Sequence, residues 1–266
     1  MKLFKFINIK NPIRFYFQLR KYDSQLSKAF GDCPHSLVLE QLGCQGFCIL
    51  DSFVSQSELN RIKTDVKKKL IALSNGLDID NDIKHTSYAS FGCYVLHNIE
   101  SFSTSCLHFA KDDLVNEVVN AYSRGKAVSF GVTAELRSIP AKNDLVDDWH
   151  TDTWKFRFKA ILYLTDVLPE NSPLCYLSGS HNNQHWRWLW FFYNYLRFAF
   201  PSSQWAMFLC SRLIQTQINN PAFKFVKCTG KAGTLILFDA RGIHRGSPLK
   251  QQNRLILNHT YFIPEE

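Results

Sequence analysis

Apolar residues recur at helical spacing in the first half of this chain and at strand spacing in the second. Residues 12–30 predict a helix carrying Phe15, Phe17, Leu19 and Leu26 among basic side chains. Gly46 to Leu50 predicts a short strand. Ser55-Gln56-Ser57-Glu58 has the form of a capping box. In the helix that follows, Leu59, Ile62, Val66, Leu70 and Leu73 share one face, and Asn75-Gly76 stops it. Residues 77–108 are less regular, with a strand expected near 91–97. Asp112 to Tyr122 predicts a second helix, on which Leu114, Val118 and Tyr122 align. Strands then dominate, over 127–139, 159–167, 174–177, 223–229, 234–238 and 254–262. Residues 184–217 interrupt them as a helical, aromatic-rich stretch. Helices first and short strands later predict a mainly β fold, a barrel or sandwich with helices packed outside it. The expected organisation is one domain over 1–266, with an N-terminal helical extension over 1–40 and a helical insert over 184–217.

Composition supports a packed core: 45% of residues are hydrophobic, with 22 Phe, 10 Tyr and 6 Trp. The formal net charge of +8 is scattered along the chain. With no zinc-finger spacing and no glycine-rich RNA-binding signature, a nucleic-acid partner is not expected. General surface charge is the plain reading, and attraction to anionic substrates or to a membrane surface is the second. The 8 cysteines form no CxxC pair, which suits free buried thiols in a reducing cytoplasm. The first 22 residues lack acids and suit a basic amphipathic surface helix better than a signal peptide. No stretch is long and apolar enough to predict a membrane span. The expectation is a cytoplasmic protein with peripheral membrane contact open to it; the sequence assigns no oligomeric state.

Candidate chemistry gathers at Trp149-His150-Thr151-Asp152. In a strand or at its end, residues two apart face the same way, so His150 and Asp152 can converge on one ion. His244, at a later strand end, offers a second imidazole. Two imidazoles and a carboxylate on one side of a metal leave the other positions open, which suits iron(II). Taken alone, a His-x-Asp pair is as readily a surface loop with a capping Asp. Arg254, which opens the last strand, adds a planar guanidinium able to grip a carboxylate with two prongs; its plain alternative is a surface arginine.

These residues carry a resemblance. Trp149 to Asp152, Ile161 to Val167, Asn171 to Leu174 and Leu177-Ser178-Gly179-Ser180-His181 resemble motifs of the phytanoyl-CoA dioxygenase family. So do Gly233-Thr234-Leu235 to Asp239, His244-Arg245-Gly246-Ser247 and Arg254, all in order over about residues 40–263. Leu177-Ser178 replaces the usual start of the Gly-Ser-His turn. The resemblance implies a double-stranded β-helix (jelly-roll, cupin-like) core. It implies iron(II) held by His150, Asp152 and His244, with Arg254 on the far carboxylate of 2-oxoglutarate. Thr151 matches a position that often touches the co-substrate, and Ser247 and Tyr163 line the same pocket. Ser247 lies one place later than the serine of some members. The implied activity consumes O2 and 2-oxoglutarate and oxidises a small organic or lipid-like substrate, releasing succinate and CO2, with ascorbate as an auxiliary reductant. Related halogenases replace the acid of the triad by a small residue, so Asp152 argues for hydroxylation or another oxidation. The alternative is a non-catalytic binding protein on the same barrel.

The stretch from Trp186 to Phe200 admits two readings. It is a helix burying its rings on the barrel, or an apolar lid or membrane-touching helix over the substrate mouth. His181 reads as a support of its turn, while Arg137 and Lys159 lie on strands near the site and read equally as partners of an anionic substrate or co-substrate and as members of strand-edge salt bridges.

Overall fold

The computed structural model describes residues 11–18, 34–74, 85–88, 93–138, 148–182 and 186–264. Helix α1 (12–18) is followed by α2 (Ser36–Gln45), β1 (Phe47–Leu50), α3 (Gln56–Ser74), β2 (His85–Tyr88) and β3 (Cys93–His97). Next come α4 (Thr104–Ala110), α5 (Asp113–Ser123), β4 (Val128–Arg137), β5 (Arg157–Tyr163) and β6 (Leu174–Ser178). Then follow α6 (Arg187–Ala199), α7 (Gln204–Ile218), β7 (Lys224–Cys228), β8 (Leu235–Asp239), β9 (His244–Arg245) and β10 (Arg254–Phe262).

Seven strands pair antiparallel in the order β1-β8-β5-β10-β4-β3-β2, and three in the order β7-β6-β9. Strand alternation divides the large sheet into two faces. Leu162, Leu237, Leu257 and Ala134 pack on Leu39, Ile62 and Val118 of the helices. The opposite parity, Ile161, Tyr163, Ile256 and Phe238, meets Leu174, Tyr176 and Cys228 of the small sheet. Two facing antiparallel sheets with helices on one outer side make the expected double-stranded β-helix.

Helix starts follow local chemistry. The Ser55 hydroxyl accepts from the Glu58 N–H at 3.2 Å, Ser103 caps α4 through the Cys106 N–H, and Asp112 caps α5 through the Val115 N–H. Gly46 ends α2 at φ +84°, where a Cβ would strike the Tyr176 hydroxyl and the His181 ring.

Several expectations are corrected. Residues 77–108 hold the strand β2 and the helix α4 as well as β3. The stretch 184–217, expected only as helical, divides into α6 and α7 where the backbone turns at Pro201 between Phe200 and Ser203. The strand expected over 159–167 runs Arg157–Tyr163. The helix expected over 12–30 is described only for 12–18; Leu19, Leu26 and the Asn75-Gly76 stop lie outside the described residues.

Candidate metal centre

The segment carrying His150 is zipped onto the chain between β8 and β9. His150 and His244 exchange N–H to carbonyl hydrogen bonds of 2.9 Å each, and the Asp152 N–H donates to the Ala240 carbonyl at 3.0 Å. This antiparallel bridge, with β9 paired to β6 at Tyr176, holds the two imidazoles 4.6 Å apart between ring centres. His150, Asp152 and His244 offer ligand atoms that all lie within 4.8 Å of one another, the one such group of metal-ligating side chains among the described residues.

Second contacts fix each ring. The Nδ1 of His150 is 2.7 Å from the Asp148 carbonyl, and that of His244 is 2.9 Å from the Gly242 carbonyl. A carbonyl can only accept, so each Nδ1 carries the proton, and in the neutral imidazole each Nε2 lone pair faces the centre. Asp152 Oδ1 lies 3.5 Å from His150 Nε2 and 3.4 Å from His244 Nε2. Two lone pairs and a carboxylate oxygen aimed at one point repel until a cation sits between them. The donor set therefore fits a divalent metal. Lys159 takes the other oxygen, its Nζ 2.6 Å from Asp152 Oδ2, which leaves Oδ1 to the centre.

Electrostatics agree with that reading. Burial alone would raise the Asp152 carboxyl, but the Lys159 charge beside it holds it well below the usual range. Burial lowers His244 and outweighs the pull of Asp152, so the ring stays neutral and available as a ligand. Tyr176 stacks on His244 and the Phe238 ring meets it edge-on, forming an apolar wall.

Arg254 lies opposite Arg137 in the β10–β4 register, and both are buried. The Arg254 Nη1 donates to the Ser172 carbonyl, while its Nε has no partner among the described residues. Burial lowers the Arg254 guanidinium, and the adjacent Arg137 charge lowers it further. Two cations side by side in the interior suit an anionic ligand. Thr151 is fully buried with its Oγ1 unpartnered among the described residues. The Ser247 hydroxyl donates to the Pro173 carbonyl at 2.8 Å, and the Tyr163 hydroxyl to the Cys228 carbonyl at 2.6 Å. His181 reaches the Gly43 carbonyl at 3.1 Å and stands away from the centre, as a support of its turn.

Sequence reasoning missed the clamp from α6. The Thr151 N–H donates to the Tyr193 hydroxyl at 3.3 Å, and Arg197 donates to both the Thr151 carbonyl and Tyr193. It also missed a cavity of about 280 Å3 on the large sheet, where Glu135, Asn258, Thr133 and Arg157 join Lys159, Val95 and Phe130 in the wall. The signal was present as the polar parity of β4, β5 and β10, which reads equally as a solvent face.

A sequence model of the phytanoyl-CoA dioxygenase family matches residues 42–254. No curated protein sequence matches significantly. Among solved structures, EctD from S. alaskensis with bound Fe is 18% identical, with a TM-score of 0.63 over 89% of this chain and 79% of that one. HygX from Streptomyces hygroscopicus, with nickel, 2-oxoglutarate and hygromycin B bound, is 14% identical, at 0.56 over 85% and 86%. SnoK, a non-heme alpha ketoglutarate dependent carbocyclase from nogalamycin biosynthesis, is 10% identical, at 0.63 over 88% and 86%. These likenesses are of fold.

Proposed function

Since this chain belongs to the phytanoyl-CoA dioxygenase family, we propose that it uses His150, Asp152 and His244 to hold iron(II) and oxidises a small, hydrogen-bonding organic substrate. Membership makes it an oxidoreductase whose cofactors are iron(II) and 2-oxoglutarate. Hydroxylation, with release of succinate and CO2, is the reaction the Asp152 ligand favours. The observation that carries the reading is the pair of Nδ1 anchors, which aim two imidazole lone pairs at the oxygen of Asp152 left open by Lys159.

When bound, iron(II) with 2-oxoglutarate and O2 supplies the oxidising power, and the chain supplies placement. Arg254 offers its unpartnered Nε to the far carboxylate of the co-substrate, with Arg137 adding charge from the neighbouring strand. Ser247 and Tyr163 shape this pocket as walls, because their hydroxyls are committed to backbone carbonyls. Thr151 adds the one hydroxyl between the ligands that has no assigned partner among the described residues. Tyr193 and Arg197 grip the Thr151 backbone and so fix the ligand segment from outside. Tyr176 and Phe238 exclude water from the His244 side.

Lys159 both touches Asp152 and lines the cavity, so the cavity lies next to the metal centre with this side chain between them. Its wall offers a carboxylate at Glu135, held by Asn258 at 2.8 Å and Thr133 at 3.1 Å, and an Asn258 Oδ1 with no partner among the described residues. Such a wall offers acceptors at Glu135 and Asn258 and donors at Arg157 and Lys159, which suits a polar molecule or the polar end of an amphipathic one. The seven described cysteines, all free, fit a reducing compartment such as the cytoplasm. The test is anaerobic addition of 2-oxoglutarate to the iron(II)-loaded protein. A charge-transfer band that His150→Ala and Asp152→Ala abolish supports the assignment; no band, or one indifferent to both variants, returns the chain to a binding role.

A further inference from the structure

The outward faces of α6 and α7 are apolar where a surface helix is normally polar. On α6, Trp190, Tyr193 and Asn194 point into the protein. Trp188 and Phe192, four residues apart, point out and are 61% and 52% exposed. After the turn at Pro201, Trp205 and Phe208 of α7 are 67% and 60% exposed. Helix α1 extends the patch with Ile13 and Phe17 and is joined to α6 by the Tyr16–Trp188 stack at 6.2 Å between ring centres. Contiguous apolar area of this kind marks a binding surface.

Charge selects the partner. From residue 171 to residue 238 the chain has no Asp or Glu, while Arg187, Arg197, Arg212, Lys224, Lys227 and Lys231 fall in that span. Residues 1–22, which include α1, also lack acids. None of α1, α6 and α7 carries an Asp or Glu, and Arg14 of α1 and Arg212 of α7 are exposed, the Arg212 guanidinium lying over the Phe208 ring. Exposed Trp and Phe with cations and no anion on the same helices is the chemistry of a helix lying in the headgroup region of an anionic bilayer. A second copy of the chain would bring the same acid-free basic face and be repelled. Among the described residues no helix is long and apolar enough to cross a membrane, so the helices lie on the surface.

We propose that the face made by α1, α6 and α7 docks peripherally onto anionic phospholipid bilayers. The inner side of α6 grips Thr151 through Tyr193 and Arg197. Docking therefore sets the His150–Asp152 segment about one helix diameter, roughly 10 Å, from the headgroups. The docking stands whether or not the oxygenase reading does, and its test needs no turnover.

The test is co-sedimentation of the full chain with phosphatidylcholine vesicles, with and without phosphatidylserine. Binding is expected on the anionic vesicles and to weaken as salt is raised. Trp205→Glu with Phe208→Glu should weaken it at least about tenfold, and Arg212→Gln by roughly fivefold. Both variants change exposed side chains, and an unchanged melting temperature establishes that each is folded. The proposal is overturned if the protein stays in the supernatant with both vesicles, if it binds neutral and anionic vesicles alike, or if the folded variants bind as tightly as the parent. It is overturned equally if light scattering finds a dimer that the double variant dissolves while vesicle binding is absent.

Discussion

Replacing Arg254 by Met removes the guanidinium while keeping an unbranched side chain of similar length in a buried position. The side chain is 8% exposed, its Nη1 is committed to the Ser172 carbonyl, and its Nε is available. A carboxylate gripped there gains two charge-assisted hydrogen bonds, each worth about 1.5–3 kcal/mol. Breaking a buried charge pair from one side costs about 3–5 kcal/mol. At about 1.4 kcal/mol per tenfold, affinity for 2-oxoglutarate should fall by about 10²–10³-fold. The substitution also orphans the Ser172 carbonyl, at a cost of about 1–3 kcal/mol, but relieves repulsion between Arg254 and Arg137. Stability should therefore move less than affinity. The assay is anaerobic titration of iron(II)-loaded protein with 2-oxoglutarate and, in parallel, with 2-oxobutyrate, which chelates in the same way but lacks the far carboxylate. Arg254→Met should lose the preference for 2-oxoglutarate and leave 2-oxobutyrate unchanged. Equal weakening of both ligands, or of neither, refutes the placement of the far carboxylate at Arg254.

Removing Asp152 takes away a metal ligand and leaves the half-buried Lys159 without that partner, so Asp152→Ala should abolish iron binding by calorimetry, and Asp152→Ala with Lys159→Met should regain melting temperature without regaining metal. A Cβ at Gly242 would lie 1.8 Å from the Tyr176 hydroxyl. Gly242→Ala should thus cost about 1–3 kcal/mol in urea unfolding and weaken metal binding, because the Gly242 carbonyl anchors His244. His259 is 1% exposed, and burial lowers it to about 4. The unfolded chain therefore binds a proton that the folded chain refuses, and stability falls as pH drops from about 6.5 towards 4, by at most about 3 kcal/mol. Unfolding at pH 7, 6 and 5 should give a slope that His259→Gln flattens, and an unchanged slope counts against the assignment.

What was legible in the sequence was local. His150 and Asp152 are two apart, so one spacing rule brings them together, and the last strand begins at Arg254 and ends at Phe262 as its alternation predicts. The capped start of α3 was legible because a cap and its N–H lie three residues apart. Helix α4 was missed because seven residues give too little periodicity, with Cys106 and Phe109 alone buried. The break between α6 and α7 was missed because apolar spacing continues on both sides of Pro201.

The partners that tune the site were illegible for a different reason. Lys159 reaches Asp152, and Arg137 faces Arg254, only because β5 and β4 both pair with β10 in one register. On these strands one parity is apolar and meets the helices, and the other carries Glu135, Arg137, Lys159, Arg254 and Asn258. In an open sheet that alternation means core on one side and water on the other. In a double-stranded β-helix the polar parity turns inward, so the residues that look most like surface are those that build the pocket. A one-residue slip of β10 would exchange the two sets, placing Arg254 among the helix-facing leucines and Leu255 opposite Ser172. The buried contacts of Leu255 and Leu257 with the helix layer hold that register. The same apolar residues that fold the sheet thereby decide where the charges of the site must stand.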